Sequence, residues 1–354
     1  MAKGKRLLAG ALTALLLVSC ISGCVKESGD GTGNDKSKAD KIQIGMCFDS
    51  FVIERWQRDR DVFVSMAKEL GADVNVQNAN GDIAEQKKQI DYFIKKGMDA
   101  IVIVCIDSAS LKDSVKKAKE AGIVVVAYDR LIFDADVDLY VSFDNEKVGE
   151  LMGQAMVDNG LVDGDVLMFC GSTSDNNVPL VKKGFESVMK INRNNILDTV
   201  YAEGWKAEVA SNYIYNNMET VEEADAIMCG NDDIASNVVR ALSEKRLAGK
   251  IMVAGQDADL EACQRIVEGT QLMTVYKPIE KLAQEAAECT ISLVKGEPIS
   301  GHVMAEIDDG SNKVPFLKVE PISVTQKNID EVIIKSGFHL KEDVYLNVPE
   351  KMPK

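Results

Sequence analysis

The sequence predicts an α/β protein built from two similar doubly wound parallel-sheet domains joined by a hinge. Three observations carry this expectation. The chain has 354 residues, 46% of them apolar, which is more than one hydrophobic core commonly serves. From Lys41 onward, short apolar runs alternate with amphipathic segments of helical length. The two halves also echo each other, "DAIVIVCID" being answered by "DAIMCGNDD" and "IVVVAYDR" by "KIMVAGQDAD".

The first 24 residues stand apart from that pattern. "MAKGKR" supplies positive charge and "LLAGALTALLLV" about a dozen apolar residues, the proportions of an export signal rather than of a bilayer span. "ISGC", ending at Cys24, resembles a bacterial lipobox, in which the cysteine is acylated and becomes the mature N-terminus. "LVSC", ending at Cys20, fits the same pattern; the glycine before Cys24 favours the later site. Residues 25–40 are rich in Gly, Ser, Asp and Lys without periodicity and read as a tether reaching roughly 20 to 25 Å.

In the first half, "KIQIGMC" reads as a strand, residues 54–70 as a helix stopped by Gly71, and "ADVNVQ" as a strand. A helix over 83–96, the strand "DAIVIVCI", a helix over 110–121 and the strand "IVVVAY" follow. The second half repeats the scheme with strands at "GDVLMFCG", "DTVYAEG", "DAIMCGNDD", "KIMVAGQD" and "LMTVYKP". Cysteines 47, 105, 170, 229, 263 and 289 show no CxxC spacing, and the first four sit in or beside apolar runs, so all six are expected as buried thiols.

Ligands of open parallel sheets bind beyond the carboxyl ends of the strands. Asp129 and Arg130 lie at such an end in the first half, and Asn231, Asp257 and Lys277 at corresponding ends in the second. Carboxylates accept from hydroxyls while Arg, Lys and Asn donate, so this mixture suits a neutral polyol. Trp205 offers a flat apolar face for the C–H side of a sugar ring. Taken alone, Asp129 and Arg130 fit a structural ion pair equally well.

Other chemistries find little footing. The net charge of −15 argues against a nucleic-acid partner. "DADVDL" alternates acids as a calcium loop does, but Leu139 replaces its glycine and Asn145 its closing glutamate. No GxGxxG follows a strand, no Walker-type loop or HExxH occurs, and the two histidines, His302 and His339, lie outside the cleft segments. No cofactor or metal is therefore expected. A glycosidase using Asp129 and Asp257 would need one carboxyl with a raised pKa, which Arg130 and Lys277 oppose.

Over about Lys41 to Leu340 the chain resembles the periplasmic sugar-binding proteins of type I fold, in the branch that binds D-xylose for an ABC importer. The segments that carry the resemblance are "ERWQRDRDVF", "NANGD", "AYDRLI", "DADVDLYVSFDNEKVGEL", "SDNN", "GQDADL", "RIVEGTQLMTVYKPI" and "NIDEVIIKSGFH". The resemblance implies that Arg55, Asp129, Arg130, Asn177, Asn231, Asp257 and Lys277 hydrogen-bond a pentose and that Trp205 stacks on it. Residues 190–220 diverge most, so Trp205 rests on the "GW" pair alone. Simpler roles compete: Arg55 beside Glu54 or another acid of the first helix, Asn177 as a helix cap, Lys277 as a solvated lysine.

The resemblance further implies a lobe of residues 41–145 plus 279–305, a second of 146–278 plus 306–345, and connecting strands near Asn145, Pro278 and 305–315. It implies a monomeric, lipid-anchored extracytoplasmic binder, not an enzyme, that delivers D-xylose or a similar monosaccharide to an ABC permease. A sensor serving a membrane histidine kinase or chemoreceptor would need the same ligand chemistry.

Overall fold

The computed structural model describes residues 41–303 and 305–353. The expected export segment 1–24, Cys20, Cys24 and the tether 25–40 lie outside the described residues.

Strands β1 (Ile42–Phe48), β2 (Ala72–Asn78), β3 (Ala100–Ile103), β4 (Val124–Tyr128) and β5 (Leu139–Phe143) alternate with helices α1 (Arg55–Glu69), α2 (Ile83–Lys96) and α3 (Lys112–Glu120). β3, β4 and β5 are buried almost throughout, as the Val, Ile and Ala runs of β3 and β4 require in a sheet covered on both faces. The helices carry local start and stop signals. The Asp82 carboxylate accepts from the amides of Ala84 and Glu85 to open α2, and Gly97, at φ 67°, closes it.

The second lobe repeats the scheme. It contains α4 (Asn145–Asp158), β6 (Asp165–Cys170), α5 (Asn177–Ile191), β7 (Asn195–Tyr201), α6 (Glu208–Asn216), α7 (Met218–Glu223), β8 (Ala226–Cys229), α8 (Asp232–Glu244), β9 (Met252–Gln256), α9 (Leu260–Glu268) and β10 (Met273–Tyr276). The chain then returns to the first lobe with α10 (Ile279–Lys295), which packs on α1. It continues with β11 (Ala305–Asp308), β12 (Lys313–Val319), β13 (Ile322–Thr325) and a short α11 (Lys341–Val344).

The sheet orders are β11-β12-β5-β4-β3-β1-β2 and β13-β10-β9-β8-β6-β7. This corrects the expectation for residues 306–345. β12 pairs in parallel with β5, Phe316 opposite Tyr140, so residues up to Val319 extend the first sheet. The third crossing is therefore not at 305–315 but between Val319 and Ile322, where β13 joins β10 of the second sheet. β11 is a half-exposed edge strand, and the sheet that β12 joins is set by its pairing with β5 across the fold rather than by its own pattern.

The six thiols are buried and unpaired among the described residues. None of the described helices is long and apolar enough to cross a membrane.

Candidate functional site

The two lobes present the same corner to each other. At the end of β4 the Asp129 amide donates to Val141 O at 2.7 Å, and at the end of β9 the Asp257 amide donates to Val275 O at 2.9 Å. Both aspartates leave the sheet with positive φ, 64° and 99°. Such a backbone costs a non-glycine residue about 1–3 kcal/mol and persists where its surroundings fix it. Here it turns each carboxylate off the strand line into the space between the lobes.

That space, about 310 Å³ counting its opening to solvent, is lined by Ile53, Arg55, Trp56, Asp129, Arg130, Asp175, Asn177, Trp205, Gln256, Asp257 and Lys277. Of the residues expected at the site, all but Asn231 line it. Asn231 stands just before α8, and its Oδ1 accepts from the Ile234 amide at 2.9 Å. The structure thus uses it as a helix cap, a role its position before a helix favours.

On the first-lobe side most of the charged groups are paired with one another, although Arg130 Nε has no aligned hydrogen bond among the described residues. Arg55 opens α1 and sends Nε and Nη2 to the two oxygens of Asp59, 3.0 Å each, while Nη1 lies 2.9 Å from Asp129 Oδ2. Tyr128 donates its hydroxyl to Asp59, and Trp56 lies under the guanidinium, 4.5 Å from centroid to Cζ. Arg130 Nη1 donates to Asp49 Oδ2 at 2.8 Å and to Cys105 O at 2.9 Å. Burial alone would raise the Asp129 pKa, but the charges of Arg55, Lys277 and Arg130 hold it below the usual carboxylate range. Burial pushes Asp59 and Asp175 upward against their arginine partners.

Several contacts cross between the lobes. Arg130 Nε lies 2.6 Å from Asp175 Oδ2. Asn177, the first residue of α5, does not cap its helix. Its Nδ2 donates to Asp129 Oδ1 and Asp129 O at 3.1 Å each, and its Oδ1 accepts from Asn145 at 2.9 Å. Leu131 N donates to Asn176 Oδ1 at 2.7 Å, and Ser108 N to Ser174 O at 3.0 Å.

On the second-lobe side polar atoms lack partners. Lys277 Nζ lies 3.2 Å from Asp257 Oδ1, but that oxygen has no aligned hydrogen bond among the described residues. Both residues are nevertheless buried, at 5% and 7% exposure. Gln256 donates to Gly230 O while its Oε1 finds no partner among the described residues, and the Trp205 indole N–H finds none either; across the cavity the first-lobe Trp56 indole N–H is likewise without one. Trp205 lies against Gly171, where a Cβ would come 2.3 Å from the ring.

The sequence had not pointed to Asp49, Trp56, Asp59, Asp175 or Gln256. Asp59 carried one local signal, its position one helical turn after Arg55. Asp175 and Gln256 are immediate neighbours of residues that had been singled out, in "SDNN" and "GQD".

Two corners facing across a cavity rich in donors and acceptors define a two-lobed solute-binding protein. A model of the periplasmic binding protein domain matches residues 44–298. The chain is 42% identical to the D-xylose-binding periplasmic protein of Haemophilus influenzae over 309 residues, 86% of this chain and 92% of that one. It is 40% identical to the protein of the same name from Escherichia coli K12, covering 88% of this chain and 95% of that one. Among solved structures, an ABC transporter solute-binding protein from Clostridium phytofermentans with bound β-D-glucose superimposes with a TM-score of 0.77 at 27% identity, over 85% of this chain and 99% of the other. The chain belongs to the periplasmic binding protein family.

Proposed function

We propose that this protein captures D-xylose between its lobes outside the cytoplasm and presents it to an ABC importer while tethered to the membrane by acyl chains on Cys24. The observation that carries the ligand reading is the buried Asp257–Lys277 pair, which faces a largely paired first lobe yet makes no side-chain hydrogen bonds of its own among the described residues. A small polyol supplies what that side lacks: hydroxyls donate to Asp257 and Gln256 and accept from Lys277 and the indole N–H groups. Trp56 and Trp205 add apolar faces for the ring.

The names of the relatives support xylose as the sugar and an importer as the destination. Closure about the three crossings, at Phe143–Asn145, Lys277–Pro278 and Glu320–Pro321, brings the two corners onto the ring. Binding rather than hydrolysis is the better reading, because Asp129 is held below the usual carboxylate range and a glycosidase acid must sit above it. The anchor rests on the sequence "ISGC", with Cys20 as the competing acyl site.

A thermal-shift panel of D-xylose, glucose, ribose, arabinose and galactose tests the ligand. Xylose should raise the melting midpoint most. A response to galactose alone, or to no sugar, contradicts the proposal. Incorporation of labelled palmitate, lost in Cys24→Ala and retained in Cys20→Ala, tests the anchor.

A further inference from the structure

Beyond the cavity, the C-terminal segment reaches the site from behind. After β13 the chain runs along the second lobe, where Gln264 donates to Asp343 O at 2.8 Å and Lys351 to Val267 O at 2.9 Å. On the way, two consecutive residues touch the backs of both halves of the site. Arg58, one turn along α1 from Arg55, donates to Phe338 O at 2.8 Å, and its guanidinium lies 4.2 Å from the centre of the Phe338 ring. The next residue, His339, places Nε2 2.8 Å from Ala258 O. Phe338 is also packed edge-on against Tyr276 at 4.8 Å, beside the second crossing.

Ala258 directly follows Asp257, and the two form a strained pair with φ of 99° and 57°. Four hydrogen bonds pin that turn: Asp257 N to Val275 O, Ala258 N to Thr274 Oγ1 at 3.2 Å, His339 to Ala258 O at 2.8 Å and, more weakly, the Cys263 thiol to the same carbonyl at 3.6 Å. The first two come from the neighbouring strand. The thiol belongs to α9, the helix that follows the turn in the same lobe, so His339 alone reaches the turn from the C-terminal segment. A carbonyl can only accept, so Nε2 carries the proton, and burial lowers the ring's pKa towards the neutral form that donates there.

We propose that Phe338–His339 is a strap that registers the Arg55 end of α1 against the Asp257–Ala258 turn, with His339 acting as a positioning residue for Asp257 and Arg58 as its anchor on the first lobe. Asp257 has no side-chain hydrogen bond of its own among the described residues to hold it, so its aim depends on the backbone that the strap fixes. The strap lets two halves of a site that share no strand keep a common reference.

The inference rests on the D-xylose reading and is tested by calorimetric titration of D-xylose into the parent, His339→Ala, His339→Gln and Arg58→Gln, with the sugar-free melting midpoint of each. His339→Ala should weaken binding about tenfold, the scale of one neutral hydrogen bond. His339→Gln, which keeps a donor at that place, should recover most of the loss. Arg58→Gln should weaken binding several-fold from the other end of the strap. Parental affinity in His339→Ala overturns the strap while leaving xylose as the ligand, as do equal losses in the Ala and Gln variants. Absence of heat from the parent overturns both readings. Should His339→Ala fail to fold, Arg58→Gln decides alone, and unchanged affinity there overturns the proposal.

Discussion

Asp129 and Asp257 occupy equivalent corners of the two lobes, on equivalent left-handed turns, with their amides bound to equivalent neighbouring strands. Their side chains could hardly differ more. Asp129 receives Arg55 on one oxygen and Asn177 on the other, whereas Asp257 faces Lys277 without an aligned hydrogen bond. Duplicated backbone geometry thus supports two jobs. One corner is a charge network that orders the first lobe and reaches across to the second, and the other holds polar atoms whose needs a ligand can meet. Leaving a buried polar atom unpaired costs about 1–3 kcal/mol, and the second corner holds two adjacent such atoms, Gln256 Oε1 and Asp257 Oδ1, that a ligand hydroxyl can satisfy.

The comparison breaks most visibly at Asp129. Asp129→Ala strips a buried guanidinium of one of its two carboxylates and Asn177 of one of its two acceptors, and should cost about 3–5 kcal/mol of folding stability along with xylose binding. Urea titration reads the first effect, and an unchanged midpoint would show that the network does not order the lobe. On the second-lobe side, Gly171→Ala puts a methyl group where the Trp205 ring lies and should displace it. Xylose affinity is expected to fall roughly tenfold with loss of the stacking face. Calorimetry checks this, and parental affinity would remove Trp205 from the site.

The smallest effect is one of pH. Because the folded state lowers the Asp129 pKa, ionised Asp129 contributes stability that is present above the ordinary carboxylate pKa of about 4 and is lost as pH falls through the lower folded value. The difference in melting midpoint between the parent and Asp129→Asn should therefore hold from pH 8 to 5 and narrow below pH 4. A gap that widens with acid would contradict the sign of the shift.

Much of this arrangement was legible before any coordinates. The alternation of apolar runs and amphipathic helices located the two sheets, and the echo of "AYDR" in "GQDAD" marked the two corners. Placement of residues 306–319 was not legible, because the sheet β12 joins is chosen by β5, more than 170 positions away in the chain, and the short β11 only follows it by pairing with β12. Asp59 was hidden for a different reason. An acid on a helix usually faces water, and only the fold shows that this one is fully buried beneath Arg55 and Tyr128. Asn231 was legible in one of its two roles only, since a residue at a strand end that also precedes a helix suits either a ligand or a cap, and its Oδ1 serves the cap.

The central claim is that the Asp257 corner serves the ligand while the Asp129 corner serves the fold as well. Titrating D-xylose into the parent and Asp257→Ala, with urea midpoints for both, tests it most directly. The parent should bind one xylose per chain, and Asp257→Ala should bind about a hundredfold more weakly, the scale of a charge-assisted hydrogen bond, while losing less stability than Asp129→Ala. Equal xylose affinity in the parent and Asp257→Ala would contradict the account.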